Sequence, residues 1–166
     1  PKEVVYILER FKEFGFSAYP VGGCVRDSLL GKTPGDFDIT TDATPSDTLE
    51  LFKEQKTIRL GEKFGTIGVL LNEKIYEITT MRYDHEYVDS RHPSAVSFTK
   101  DLVEDLKRRD FTINAMAYDY FNDELIDPFD GNLDLEKGVI RAVGDPSKRF
   151  EEDALRIMRA FRSVSY

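Results

Sequence analysis

The stretch VGGCVRDSLLGKTPGDFDIT, residues 21–40, opens on the pair Gly22-Gly23 and closes on Asp36 and Asp38 with only Phe37 between them. SAYPV, ending at Val21, is short and strand-like. Cys24 to Leu30 has helical spacing, and Gly31 and Pro34-Gly35 break the chain. The order is strand, tight turn, helix, turn, strand. Residues i and i+2 of a strand face the same side, so Asp36 and Asp38 project together while Phe37 and Ile39 turn into the core. Two such carboxylates repel unless a cation lies between them. Hard oxygen ligands suit Mg²⁺, and two ions about 3.5–4 Å apart clamp the attacking and leaving oxygens of a phosphoryl displacement. The alternative for an isolated Asp-x-Asp is a solvated strand edge. The glycine turn bears on that choice, because a Gly-Gly turn feeding a helix lets backbone N–H groups approach an anion where the helix dipole favours negative charge. Arg26, one turn into the helix, would add a forked contact to a phosphate oxygen; its alternative is a pair with Asp27.

Outward from this stretch, Val4, Ile7, Leu8, Phe11 and Phe14 mark an amphipathic N-terminal helix that Gly15 ends. Thr44 as N-cap and Pro45 at the first helical position predict a helix through Ser46 to Lys53. FGTIGVLLNEKIYEITTMR alternates as a hairpin turning near Asn72-Glu73. Glu77 shares its strand face with Ile75 and Thr79, and is either a third metal ligand or an ordinary exposed glutamate. Tyr83 to Ser97 lacks a period and holds both histidines, so it reads as a long loop. Helices are expected at Leu102 to Lys107 and Ile113 to Tyr118. After a break at DPFDGN, a short strand at Val139 to Val143 leads into a closing helix from about Ser147. The sum is an α+β sheet domain over residues 1–138. The last helix, with Phe150, Ala154, Ile157, Met158 and Phe161 apolar, lacks a cap and a partner, so the chain reads as a piece of a longer protein.

The 166 residues suffice for one ordinary domain with a real core. A hydrophobic share of 40% and a charged share of 33%, without a long apolar run, exclude a helical membrane span. A single cysteine, Cys24, excludes an internal disulfide and fits a reducing, cytoplasmic setting; it reads as a small packed residue. The net charge of −8 excludes a surface that grips nucleic acid everywhere. Any polyanion must meet local basic sites. These are Lys107, Arg108 and Arg109, and the segment Arg141 to Arg162, where six Lys or Arg stand against four Asp or Glu. A solvated helix face is the plainer reading of such runs.

Gly22-Gly23-x-x-Arg26-Asp27 with Asp36-x-Asp38, followed by RRDFTINAMA, DPFDG and EEDALRIMRAFR, resembles the class II tRNA nucleotidyltransferases, the CCA-adding enzymes and their bacterial poly(A) polymerase relatives. The likeness runs from about Tyr19 to Arg162 with the motifs in the family's order. It implies a polymerase-β-like nucleotidyltransferase head, a mixed sheet with helices on one side, over residues 1–138, and the first helix of an α-helical neck over 139–166. The implied reaction adds C and A nucleotides from CTP and ATP to a tRNA 3' end, with Mg²⁺ held by Asp36 and Asp38. Gly23 and Arg26 would then seat the triphosphate. Arg109 would bind a phosphate or sugar oxygen and Asp110 or Asn114 a sugar hydroxyl, while Asp110 would equally cap a helix starting at Phe111.

In EEDALRIMRAFR, Asp153 and Arg156 share a helix face, and the plain expectation is an i,i+3 salt bridge. In the family the motif reads the base. An aspartate only accepts and an arginine only donates, which matches the amine and ring nitrogen of C and A and confronts U and G with like against like. Arg159 and Arg162 would hold the nucleotide or its phosphates. YVDSRHPSAV is similar to the flexible loop that CCA-adding members need for the final adenosine, which favours CCA or A addition over CC addition. Two rival expectations are a poly(A) polymerase and a nucleotide-binding module inactive without an RNA-holding body.

Overall fold

The computed structural model describes residues 1–61, 65–84 and 96–143. The expectations for residues 85–95, for the closing helix, and for Asp153, Arg156, Arg159 and Arg162 lie outside the described residues.

The chain opens with helix α1 (Lys2–Glu13), which buries Val4, Ile7, Leu8 and Phe11 at the expected spacing. Gly15 ends it with φ +82° as its N–H bonds the Lys12 carbonyl. Strand β1 (Ala18–Val21), helix α2 (Gly23–Leu29) and strand β2 (Asp38–Thr41) follow in the order read from residues 21–40. Helix α3 (Pro45–Leu51) starts in a full capping box, with the Thr44 hydroxyl accepting from the Asp47 N–H and the Asp47 carboxylate from the Thr44 N–H. Strands β3 (Thr57–Arg59), β4 (Thr66–Leu71) and β5 (Lys74–Thr80) follow, and the β4–β5 turn at Asn72 and Glu73 has positive φ at both residues.

One seven-stranded mixed sheet carries the order β3-β4-β5-β2-β1-β8-β9, in which β8 is Ala117–Asp119 and β9 is Glu124–Ile126. β2 pairs antiparallel with β1 and parallel with β5. This places Asp38 opposite both Val21 and Glu77. On one face of the sheet, α1 and Phe52 pack on Ile39, Val69, Tyr76 and Ile78. Alternation then sends Asp38, Ile75 and Glu77 to the other face.

Four expectations need correcting. Ile113 to Tyr118 is not a helix: a 3₁₀ turn at Thr112–Asn114 runs into β8, because Ala117 pairs with Val21 at the edge of β1. The tertiary ladder overrides a local helical pattern. Asp110 does not cap that turn; its carboxylate accepts from the Phe111 N–H and from the Asn114 amide. Val139 to Val143 is not a strand but makes one isolated antiparallel bridge, Ala142 with Phe111, outside the sheet. Thr112 donates to the Arg141 carbonyl and Val143 to that of Asp110, and the 3₁₀ turn ends the ladder there. The stretch Tyr83 to Ser97 is not loop throughout, since its ends lie in the antiparallel strands β6 (Arg82–Asp84) and β7 (Val96–Phe98).

Beyond α4 (Leu102–Lys107), which has the expected bounds, helix α5 (Gly131–Lys137) begins inside DPFDGN, where only a break was read. Both oxygens of Asp127 accept from its first N–H groups, those of Gly131 and Asn132. Gly131 is required there because a Cβ would lie 2.1 Å from the Thr112 carbonyl oxygen. DPFDG thus clamps α5 onto the segment RRDFTIN.

Candidate active site

Three elements meet at the start of β2. The β1–α2 turn brings Gly22 beside Asp38, since β1 ends at Val21 in register with it. Gly22 has φ +77°, and a Cβ there would lie 3.4 Å from Arg109 Nη1, so glycine permits both the turn and the approach of that guanidinium. No side chain caps the start of α2.

Asp36 is exposed and Asp38 half-buried; β2 begins only at Asp38, so Asp36 lies just ahead of the strand and not within it as expected, yet both line one cleft while Phe37 packs on the apolar side. Glu77 joins them from β5. A side-chain hydrogen bond between Glu77 and Asp38, then burial, then the charges of Asp38 and Asp36 hold the Glu77 carboxyl above the usual carboxylate range. Among the described residues no three His, Cys, Asp or Glu side chains are already drawn into a metal-ligand cluster. Asp36, Asp38 and Glu77 line one cleft, where a bound cation would relieve the repulsion among their charges. This hard, all-oxygen donor set fits a divalent ion of the Mg²⁺ type.

On the β1 side of the carboxylates lies a cationic cluster. Arg26 donates through Nη1 to the Asn114 side-chain oxygen at 2.7 Å and through Nε to Asp27 at 3.1 Å. The pair with Asp27, one of the two readings of Arg26, is present, and Asn114 is tied in turn to Asp110 at 3.4 Å. Gly23, Arg26, Arg109, Asp110 and Asn114 are thus brought together from three elements. Arg109 is held by Asp105 at 3.6 Å, but its buried Nε has no hydrogen-bond partner among the described residues. Burial, then the charge of Arg108, pushes its pKa down, against the pull of Asp105 and Asp38. A guanidinium whose Nη1 approaches a glycine turn is suited to an oxyanion.

Sequence reasoning missed Asp105. Its carboxylate is fully buried (0% exposed) and accepts from the Thr40 hydroxyl at 3.0 Å, the Arg82 N–H at 3.0 Å and Arg108 Nε at 3.1 Å, besides pairing with Arg109. It fastens β2, two residues past Asp38, to the first residue of the β6–β7 hairpin and to both arginines. The single available signal was an aspartate three and four residues ahead of Arg108 and Arg109 on a helix. Cys24 is a packed residue as expected: it is buried, donates to the Val21 carbonyl at 3.4 Å, and burial pushes its thiol pKa up.

Residues 18–141 match the family model described as the poly A polymerase head domain. The chain belongs to the poly(A) polymerase head-domain family. It is 53% identical over 161 residues to a CCA-adding enzyme of Streptococcus suis, covering 97% of this chain and 39% of that relative. The crystal structure of a Bacillus stearothermophilus CCA-adding enzyme in complex with CTP superposes with a TM-score of 0.84 at 47% identity, covering 99% of this chain and 38% of that one. A tRNA nucleotidyltransferase complexed with a primer tRNA and an incoming ATP analog gives 0.70 at 37% identity, covering 94% of this chain and 43% of that one. This head domain thus has the polymerase-β-like nucleotidyltransferase fold expected from the motifs. It spans about two fifths of the length of the relatives it matches. No helix among the described residues is long and apolar enough to cross a membrane.

Proposed function

We propose that the protein to which this head belongs adds C and A nucleotides to the 3' end of tRNA from CTP and ATP, releasing pyrophosphate. One juxtaposition carries the reading: Asp36, Asp38 and Glu77 share a cleft, and Asp38 is in register with the residue ahead of the Gly22-Gly23 turn, which the Arg109 guanidinium approaches. That is an anion seat beside a cation seat. The similar CCA-adding enzymes, one of them solved in complex with CTP, support the same choice of substrates.

In this reading Gly23 and Arg26 hold the triphosphate, Arg109 takes a phosphate or sugar oxygen, and Asp110 and Asn114 meet the sugar hydroxyls. Asp36 and Asp38, with Glu77 as third ligand, would hold Mg²⁺, which when bound supplies charge neutralisation at the α-phosphate and acidifies the attacking hydroxyl. The protein's own part is to fix these groups in advance, so that little reorganisation remains at reaction. Residues 139–166 begin the helical neck in this reading, where Asp153 and Arg156 read the base and Arg159 and Arg162 hold the nucleotide. A cytoplasmic setting fits a substrate made there.

The deciding experiment incubates the full-length protein with tRNA lacking its terminal CCA, together with CTP and ATP, and sequences the products. Addition stopping after CCA is expected. An open-ended A tail would instead identify a poly(A) polymerase, and nucleotide binding without pyrophosphate release would reduce the domain to a binding module. For base choice, Asp153→Ala should raise UTP and GTP incorporation relative to CTP and ATP by about tenfold or more, because it removes the acceptor that repels their carbonyls. Unchanged selectivity in that variant would place base reading elsewhere.

A further inference from the structure

We infer that Leu60 and Ile75 form the seat for the 3'-terminal nucleoside of the RNA acceptor. This rests on the reaction proposed above and adds the side from which the acceptor enters.

Both residues line the cleft that also holds Asp36, Asp38 and Glu77. They are large and apolar yet 37% and 43% exposed. Ile75 stands two residues from Glu77 on the same strand face, and Leu60 directly follows β3. What joins them is Gly68 in β4, paired in register with both Ile58 and Glu77. A Cβ on Gly68 would lie 2.9 Å from Leu60 Cδ1 and 3.0 Å from Ile75 Cγ2. The absence of that side chain lets the two close over the strand as one continuous ledge beside the carboxylates.

The sheet order decides what the ledge is for. β2, which carries Asp38, is central; β1 with the glycine turn and the arginines lies to one side, and β5, β4 and β3 with the ledge lie to the other. All the anion-seating donors described above are on the β1 side. In an in-line displacement the nucleophile and the leaving group occupy opposite sides of the phosphorus being attacked. With the triphosphate on the glycine and arginine side, the attacking hydroxyl arrives from the ledge side. An apolar surface of two side chains suits the face of a terminal base or ribose, which needs positioning and has little charge to neutralise.

The test uses the full-length protein, a tRNA lacking CCA, and the double variant Leu60→Ser with Ile75→Thr. Both positions are partly exposed, and threonine keeps the strand preference at position 75. The KM for the RNA should rise about tenfold, while the KM for CTP and the rate at saturating RNA stay within about twofold. An unchanged RNA KM, or an equal rise in the CTP KM, overturns the assignment. So does a lower melting temperature with both KM values unmoved, which would show that the ledge only packs against another part of the chain. A second readout needs no turnover and separates this proposal from the reaction itself. An RNA with a photoreactive 3'-terminal base should crosslink to β3 or β5 in the wild type and lose that crosslink in the double variant, whether or not nucleotides are incorporated. Crosslinks confined to other elements overturn it.

Discussion

Asp38→Ala should lower nucleotide incorporation by about 10³-fold or more while leaving the melting temperature close to that of the wild type. Asp38 is half-buried at the first position of β2, beside Glu77, and lines a cleft with Asp36 and Glu77. Removing it takes away one of three carboxylates and several kcal/mol of charge stabilisation at the phosphoryl centre, where each 1.4 kcal/mol is about tenfold in rate. The fold should tolerate the change, because the core face of β2 is made by Ile39 and not by Asp38. Loss of the repulsion with Glu77 offsets part of any packing loss. Single-turnover incorporation with CTP and the thermal melt, measured together, check this. A variant that retains near wild-type turnover removes Asp38 from the reaction altogether.

Asp105→Ala is expected to act through stability instead. One fully buried carboxylate accepts from Thr40, the Arg82 N–H and Arg108, and also pairs with Arg109. Alanine would leave the Thr40 hydroxyl and two arginines without their acceptor in a dry site, and breaking a buried charge pair from one side costs about 3–5 kcal/mol. Asp105→Asn should fall between alanine and wild type, since its amide keeps one acceptor oxygen but turns an NH₂ toward donors. The urea denaturation midpoints of the three proteins test this order. Because Arg109 loses its anchor, the nucleotide KM should rise in Asp105→Asn even at temperatures where that variant is fully folded. Equal midpoints for all three would mean that the donors find other acceptors.

The two outcomes differ because the two aspartates sit on opposite sides of the distinction between local pattern and assembled structure. Asp36 and Asp38 were legible as a candidate pair because they stand two residues apart at the entry to a strand, with a Gly-Gly turn and a helix start close by in sequence. The capping box at Thr44 and the Gly15 stop were legible for the same reason, each being a bond among residues within four positions. The helix expected at Ile113 to Tyr118 failed where a distant partner intervened. Asn114 is held by Arg26, 88 residues away, and Ala117 by Val21, and neither contact leaves a mark in local periodicity. Helix α5 escaped notice because its first residue is a glycine chosen for contact with Thr112, which local propensity scores as a break.

By itself the sequence determined the spacing of the carboxylate pair, the glycine turn, the elements from α1 to β5 apart from β3, and the family through its ordered motifs. All of these depend on residues near one another along the chain. Only the tertiary structure decided that Glu77 joins the pair, that Asp105 lies beneath the arginines, and that Gly68 opens a ledge between Leu60 and Ile75. Strand register and the parallel crossover from β2 to β5 bring these residues together, and their contacts follow from packing across the sheet, which local periodicity does not encode.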